Sequence, residues 1–425
     1  MPEKRHAGAA AATALVVANM VGTGVFISLG YQLVDFHAAP PILLLWVIGG
    51  LIALCGAYSY AELAAALPRS GGEYHFLGTL YHPALGFMAG LMSAVVGFAA
   101  PTAVTALALG GYLQRSFPGV PADATAVAVI LLGAASHALS ARTSARVQVA
   151  STALKLALIG AFLIAALVLP GHGDIRWRPE PADLAEVFRP AFAGALLFVF
   201  YAYSGWNAAV YGLEEWHEPR RTVKRALIGG TLLVLALYVA LNAAFLHAAP
   251  AAELRGVPEI ADVAARGLFG PAAARWTSAL LALGLFSSVS ALLWAGPRVL
   301  GTMGRDVRAL KWFAPRDGVP LRALAFQTAL ALGFVGYGRL DALVTYTQTG
   351  LTLCSVLAVA GLFRLQPRPP ARRFHVLPAA VFLAMTGFVI VQSLIKTDSR
   401  GAALCGLLTA AGCALLWFPL HPKSR

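Results

Sequence analysis

The sequence predicts an all-α polytopic membrane protein of twelve transmembrane helices, and three observations predict it. Hydrophobic residues make up 59% of the 425 positions and charged residues only 12%, where a soluble domain carries about 25% charged residues. The mean hydropathy is +0.72, and apolar runs of about 20 residues, the length that crosses a bilayer, recur along the whole chain. The 32 Lys and Arg residues are also asymmetric. With the amino terminus placed in the cytoplasm, most of them fall in cytoplasmic segments, as the positive-inside rule requires. The net charge of +13 is therefore a topology signal and does not argue for a nucleic-acid partner.

The spans fall at 9–33, 40–66, 76–113, 122–140, 145–169, 188–213, 226–248, 273–303, 321–337, 341–364, 374–396 and 401–420. The first begins near Gly8, after Lys4, Arg5 and His6, and is too long for a signal-peptide core; it is expected to be retained. The second ends just before Pro68. Three connections are long. The 170–187 loop carries Pro170, Pro179 and Pro181 and is expected outside, and the 249–272 loop, also expected outside, has helical patterning around 258–268. The 304–320 loop is basic and expected inside. Both termini are then cytoplasmic and the protein sits in the cell (inner) membrane.

The most informative stretch is Asn19 to Gly30. Gly22 and Gly24 flank Thr23 in the middle of the first apolar run, which predicts an unwound helix. Membranes tolerate free backbone groups at that depth only where they line a cavity or bind something. Span 6 carries a second interruption, at Tyr203-Ser204-Gly205-Trp206-Asn207. Spans 1 and 6 are five helices apart, and an odd offset places the two units in opposite orientations. Two corresponding broken helices in inverted halves point to the binding site of a secondary transporter. The expected organisation is a first repeat at 1–170, a second at 171–365 and two added helices at 366–425.

Candidate residues follow. Val21, Gly22, Thr23 and Gly24 would present free amides and the positive end of a half-helix to a carboxylate. A packing face of small residues is the competing explanation. Tyr201, Ala202, Tyr203, Ser204 and Gly205 would turn carbonyls toward an ammonium group, with Tyr201, Trp206 and Asn207 as gate residues. Lys155 lies deep in span 5, where a charge is costly and functional by default; it is expected either to exchange protons or to tether the broken first helix. Ser287 and Ser288 in span 8 would join it in coupling, against ordinary hydroxyl bonding within their own helix. Glu62 reads as a helix-end or gate residue. Glu214, Glu215, Arg220, Arg221, Lys224 and Arg225 read as a solvated loop in preference to a gate. Cys55, Cys354, Cys405 and Cys413 lie within predicted helices and read as core residues. His137 and His247 are isolated, so no nucleophile–base pair or metal cluster argues for an enzyme, and no cofactor is expected.

These motifs together resemble the amino acid–polyamine–organocation (APC) superfamily, and within it the bacterial relatives of the L-type amino acid transporter family. Gly-Thr-Gly-Val-Phe at 22–26 resembles the family's first-helix motif. Tyr-Ala-Glu-Leu at 60–63 and Leu-Pro-Arg-Ser-Gly-Gly-Glu-Tyr at 67–74 match the end of its second helix and the following loop. Tyr-Ala-Tyr-Ser-Gly-Trp-Asn at 201–207 with Glu214 and Glu215 resembles its sixth-helix signature, and Arg-Asp-Gly-Val-Pro at 316–320 is similar to the loop after helix 8. The resemblance implies a five-plus-five inverted-repeat fold of the leucine-transporter type. It also implies an amino acid substrate whose carboxylate meets Gly22, Thr23 and Gly24 and whose amino group meets carbonyls at Tyr201, Ala202 and Ser204. Lys155 would stand near the place a sodium ion takes in sodium-coupled relatives, which implies sodium-independent proton symport or amino acid exchange. A polyamine or basic amino acid antiporter is the alternative, with no acid clearly placed in the site to meet a second positive charge; a non-transporting sensor is another. Tyr201 and Ser204 depart from the family's usual residues. The loop around 114–121 has no cysteine, so no disulfide-linked subunit is expected.

Overall fold

The computed structural model describes residues 8–139, 141–257, 259–315, 319–337, 340–365, 376–395 and 397–420. The motif at 316–320 lies partly outside the described residues. Seven helices among them are long and apolar enough to cross a membrane. Shorter apolar helices stand at Pro190–Tyr203, Leu321–Gly336, Thr349–Arg364, Val376–Gln392 and Leu404–Leu420. The described residues hold no strand; an isolated β-bridge joins Ala38 to Arg176.

The first span is two helices, α1 (Ala9–Met20) and α2 (Gly24–Asp35). It parts where expected: Val21 leaves the helical region at ψ 78° and the Gly22 amide turns back to the Met20 carbonyl. α3 (Ala39–Ala66) starts on Pro40 and Pro41, whose fixed φ suits a first helical turn. The expected third span begins differently from its pattern. A separate short helix, α4 (Glu73–Leu80), comes first, and Pro83 then starts α5 (Pro83–Leu91). A π-helical turn at Met92–Gly97 joins α5 to α6 (Ala99–Ser116). α7 (Ala122–Leu139) and α8 (Ala141–Val168) follow.

α9 (Pro181–Glu186) is a short surface helix in the proline-containing loop. The sixth span is helical only as α10 (Pro190–Tyr203). Beyond its break the chain forms 3₁₀ turns at Ala208–Val210 and Leu213–Glu215, where a continuous second half-helix was expected. The rest comprises α11 (Pro219–Ala248), α12 (Ala251–Leu254), α13 (Ile260–Asp306), α14 (Leu321–Tyr337), α15 (Leu340–Gly361), α16 (Val376–Ile395), α17 (Thr397–Leu415) and α18 (Trp417–Leu420). The helical patterning expected around 258–268 is borne out from Ile260 on. It is the first part of α13, which bends at Gly270 (φ 75°) just before Pro271.

Burial sorts the helices into centre and rim. In Ala282–Asp306 of α13, 83% of the apolar window is buried, against 28% in Ala122–Leu139. Leu131, Leu132 and Leu139 of α7, and Leu154, Ile164, Leu167 and Val168 of α8, are exposed. An apolar rim around a buried centre suits lipid as the surrounding solvent. α1 is central; it packs against α8, α11 and α13.

The two broken helices touch at their breaks. A Cβ on Gly24 would stand 2.5 Å from the Ala202 Cα, and one on Gly205, which has φ 97°, would stand 2.9 Å from the Asn19 backbone. Small residues here let two backbones meet. Gly24→Ala is therefore expected to overpack this contact, costing about 1–3 kcal/mol. Gly22→Ala, whose Cβ would meet Ser288 Oγ at 3.8 Å and Met20 O at 4.0 Å, ordinary contacts, should leave stability nearly unchanged. Thermal melts of both variants in detergent test this, and equal melting points would refute the contact.

Candidate functional site

A cavity of about 120 Å³ lies between the breaks, small beside the ~300–1,000 Å³ of drug-sized sites. Gly22, Thr23 and Gly24 line it from one side and Tyr201 through Asn207 from the other. α3 contributes Ile52 and Ala53, α6 Pro101 and Thr105, and α15 Thr352 and Ser355. Because Gly24 opens α2, its amide and the next have no partner within the helix. Thr23 stands beside the Tyr201 hydroxyl across the cavity. The carbonyls on the other side are partly taken: the Ser204 hydroxyl donates to Tyr201 O at 2.7 Å.

Sequence expectations for the neighbouring residues divide. Val21 is buried outside the cavity lining, and its carbonyl is held from two sides. The Lys155 ammonium donates to Val21 O, to Ala18 O at 3.4 Å and to Ser288 Oγ at 2.7 Å; Ser288 in turn donates to Val21 O at 2.7 Å. Lys155 is 3% exposed and does not line the cavity. Its geometry is that of a tether to the broken helix. Ser287 is not part of this group. Its hydroxyl bonds back to Gly284 O at 3.0 Å, the ordinary intrahelical bond. His137 meets Ser290 Oγ at 2.9 Å and His247 faces Leu169 O at 3.3 Å; neither lines the cavity. Among the described residues no three His, Cys, Asp or Glu side chains are grouped to hold a metal ion.

Two residues were not singled out from sequence. Tyr238 of α11 sits with its hydroxyl 2.5 Å from Met20 O and 2.9 Å from Ala202 O, so it spans both breaks. A tyrosine in an apolar run gives no signal beyond packing. Glu73 is the other, and it corrects the expectation that no acid reaches the site: it lines the cavity while 2% exposed. The turn before α4 puts it there. Gly72 has φ 55°, and a Cβ on it would come within 2.6 Å of the Tyr211 ring, so only glycine suits the position. Glu73 Oε1 accepts from Asn207 Nδ2 at 2.6 Å, from the Tyr60 hydroxyl at 2.8 Å and from the Tyr211 hydroxyl at 3.4 Å. Burial pushes its carboxyl up, while these donors and its own backbone amide hold it down.

At the end expected to face the cytoplasm, Glu214 stays exposed as a solvated loop would have it, while Glu215 is drawn into an ion pair. Arg298 of α13 makes a bidentate pair with Glu215, at 2.6 and 3.1 Å, and stacks on Trp294. Arg305 approaches Glu214 at 3.5 Å, and Asp306 takes Arg69 at 2.5 Å and the Tyr74 hydroxyl at 3.0 Å. Glu62 pairs with Lys224 at 3.3 Å. The planar Arg298 fork matches a carboxylate and resists lysine replacement. Arg220, Arg221 and Arg225 make no such closure; Arg221 only approaches Glu218 at 3.8 Å.

An apolar helical bundle whose two interrupted helices face one internal cavity has the build of a multi-pass membrane permease. The chain matches the amino acid permease family model over residues 8–408 and belongs to that family, within the APC superfamily. It is 25% identical to the human b(0,+)-type amino acid transporter 1, over 99% of this chain and 89% of the relative. It is 27% identical to the serine/threonine exchanger SteT of Bacillus subtilis, over 96% and 95%. It is 28% identical to the human large neutral amino acids transporter small subunit 2, over 92% and 76%. The protein is a transporter and not an enzyme.

Lys155→Met is expected to remove the side-chain donor from the Ala18 carbonyl and one of the two from the Val21 carbonyl, which keeps Ser288. Each unpaired buried group costs about 1–3 kcal/mol, read as a lower midpoint of thermal unfolding in detergent. An unchanged midpoint would mean that the tether carries nothing.

Proposed function

We propose that this permease carries amino acids across the cell membrane by alternating access, without sodium. The observation that carries the reading is the cavity bounded by both helix breaks. The free amides that open α2 at Gly24, beside Gly22 and the Thr23 hydroxyl, suit a carboxylate, and the carbonyls of Tyr201, Ala202 and Ser204, the first two shared with Ser204 and Tyr238, suit an ammonium group. A zwitterion fits this pair of ends, and the small cavity suits a small side chain. Tyr201 closes the site from above, while Trp206 and Asn207 support the segment beyond the break. The reading includes the twelve-span, five-plus-five inverted-repeat arrangement with repeats at 1–170 and 171–365, the added helices at 366–425, and both termini in the cytoplasm.

Sodium independence rests on Lys155. By the resemblance, Lys155 stands near the place beside the broken first helix where sodium-coupled relatives hold their ion, and an ammonium there repels a second cation. Val21 supplies the carbonyl it holds, Ser288 the hydroxyl. No disulfide-linked subunit is part of the proposal; the free cysteines Cys55, Cys354, Cys405 and Cys413 all lie in helices.

The test is uptake of a labelled neutral amino acid mixture into proteoliposomes, comparing empty vesicles with vesicles preloaded with amino acids. Uptake stimulated by internal amino acid and unchanged when potassium replaces sodium is the expected result. Uptake that needs sodium overturns the sodium-independent reading. Binding without uptake in either vesicle would identify a sensor.

A further inference from the structure

One buried polar atom of the cavity wall is left without a partner among the described residues, the second oxygen of Glu73. The carboxylate is buried, it lines the same cavity as Gly22–Gly24, and its Oε2 has no hydrogen-bond partner. Among the described residues it has no ion-pair partner either. A buried carboxylate with one bare oxygen and no counter-cation is expensive. Something must reach that oxygen during the working cycle.

The surroundings say what. From α3 comes the Tyr60 hydroxyl, from the segment after α10 the Asn207 amide and the Tyr211 hydroxyl, and from α15 the Cys354 thiol and the Ser355 hydroxyl. On its own element Tyr74 faces Asp306, and His75 faces Thr79 at 3.4 Å. The groups bonded to Oε1 are donors. A sodium ion needs a shell of oxygen acceptors, and a nearby amide N–H opposes it. A proton needs only the bare oxygen.

We infer that Glu73 is the proton-carrying group of this permease: its Oε2 takes one proton from the cavity as one amino acid enters, and gives it up on the far side. The inference rests on the transport reading above. The step is simple to balance. A hydronium ion in the cavity transfers its proton to the carboxylate, leaving water and a neutral carboxyl, and each zwitterion then crosses with one net positive charge. Oε1 keeps accepting from Tyr60 and Asn207, while Oε2 becomes a donor.

Lys155 is a poorer carrier of that proton. Its ammonium is bonded to Val21 O, Ala18 O and Ser288, and it stands outside the cavity lining. Losing its proton would also loosen the backbone it holds. Glu73 connects differently: its partners Asn207 and Tyr211 lie on the segment beyond the sixth-span break, and Tyr60 on the continuous helix α3. Protonation weakens Oε1 as an acceptor, so it loosens that segment from α3 and favours opening.

The experiment uses the full chain in proteoliposomes carrying an internal pH dye, with a labelled neutral amino acid mixture. Wild type, Glu73→Gln and Glu73→Asp are compared in amino acid exchange at equal pH and in uptake into empty vesicles under an acid-outside gradient. In the wild type, the gradient is expected to drive accumulation and the interior to acidify as amino acid enters. Glu73→Gln should lower the ratio of gradient-driven uptake to exchange by tenfold or more, and Glu73→Asp should restore part of it. Wild-type entry of amino acid into empty vesicles without acidification of the interior overturns the inference whatever the variants do, and so does gradient-driven uptake that persists in Glu73→Gln. Accumulation driven by sodium, or preferred exchange of labelled lysine lost in Glu73→Gln, would assign Oε2 to another cation and also overturn it. Absence of any exchange in folded wild type would instead refute the transport reading itself.

Discussion

The structure depends on how a broken backbone is paid for where water is absent. Val21, Gly22 and Thr23 interrupt a central helix, and the carbonyls they free cannot be left bare in a hydrocarbon-thick bundle. Three side chains from three other helices meet the need. Lys155 from α8 and Ser288 from α13 converge on Val21 O, and Tyr238 from α11 reaches Met20 O. With them, the amides at the head of α2 are left open for a ligand. The pairing is selective: carbonyls on one side of the break are saturated and donors on the other are free.

A buried lysine is normally a liability, since desolvation of an unpaired ammonium outweighs what it returns. Here the ammonium has three acceptors, one of them a hydroxyl that itself donates to the same carbonyl. The charge also sets the sign of the local field. It favours a carboxylate near the broken first helix and disfavours a second cation there. A positive charge wanted elsewhere in the cavity must then be accommodated at a distance from α1, and the cavity wall at Glu73 is lined by other elements: α4, α3 and the segment after α10.

Much of this was legible in the residues. Glycines on either side of Thr23, and Ser204-Gly205 in a second apolar run, marked both breaks, because an apolar run gives no other reason for paired flexible residues. Lys155 was legible because a lone charge deep in a span demands a partner. What stayed hidden required three-dimensional placement. Ser287 and Ser288 look alike in sequence, but successive residues point about 100° apart on a helix, and only Ser288 faces Lys155. Tyr238 sits among leucines and alanines with nothing to distinguish its hydroxyl. Glu73 stood in a quoted motif as a loop residue next to glycines. Its burial follows from the Gly71-Gly72 turn that folds α4 back under Tyr211, a turn whose direction no periodicity encodes. The pairing of Glu215 was hidden for a related reason: its partner Arg298 is distant in sequence.

The ion pairs and Glu73 belong to one closure. Glu214 and Glu215 follow directly on the segment that carries Asn207 and Tyr211, and Ser70 and Gly71, just before Glu73, accept from Glu214 N and donate to Tyr211 O. The segment after the sixth-span break is thus held at its far end by an exposed pair, Arg305 with Glu214, and a partly buried one, Arg298 with Glu215, and at its near end by a buried carboxylate. The two ends differ in character. Pairs such as Arg305 with Glu214 are open to water and contribute little each, so they can part and re-form at small cost. The near end is dry, and its hydrogen bonds to Glu73 can change only if the charge on that carboxylate or the contents of the cavity change. The latch that responds to cargo therefore lies at the cavity wall, and the arginine pairs complete a closure that the buried end decides.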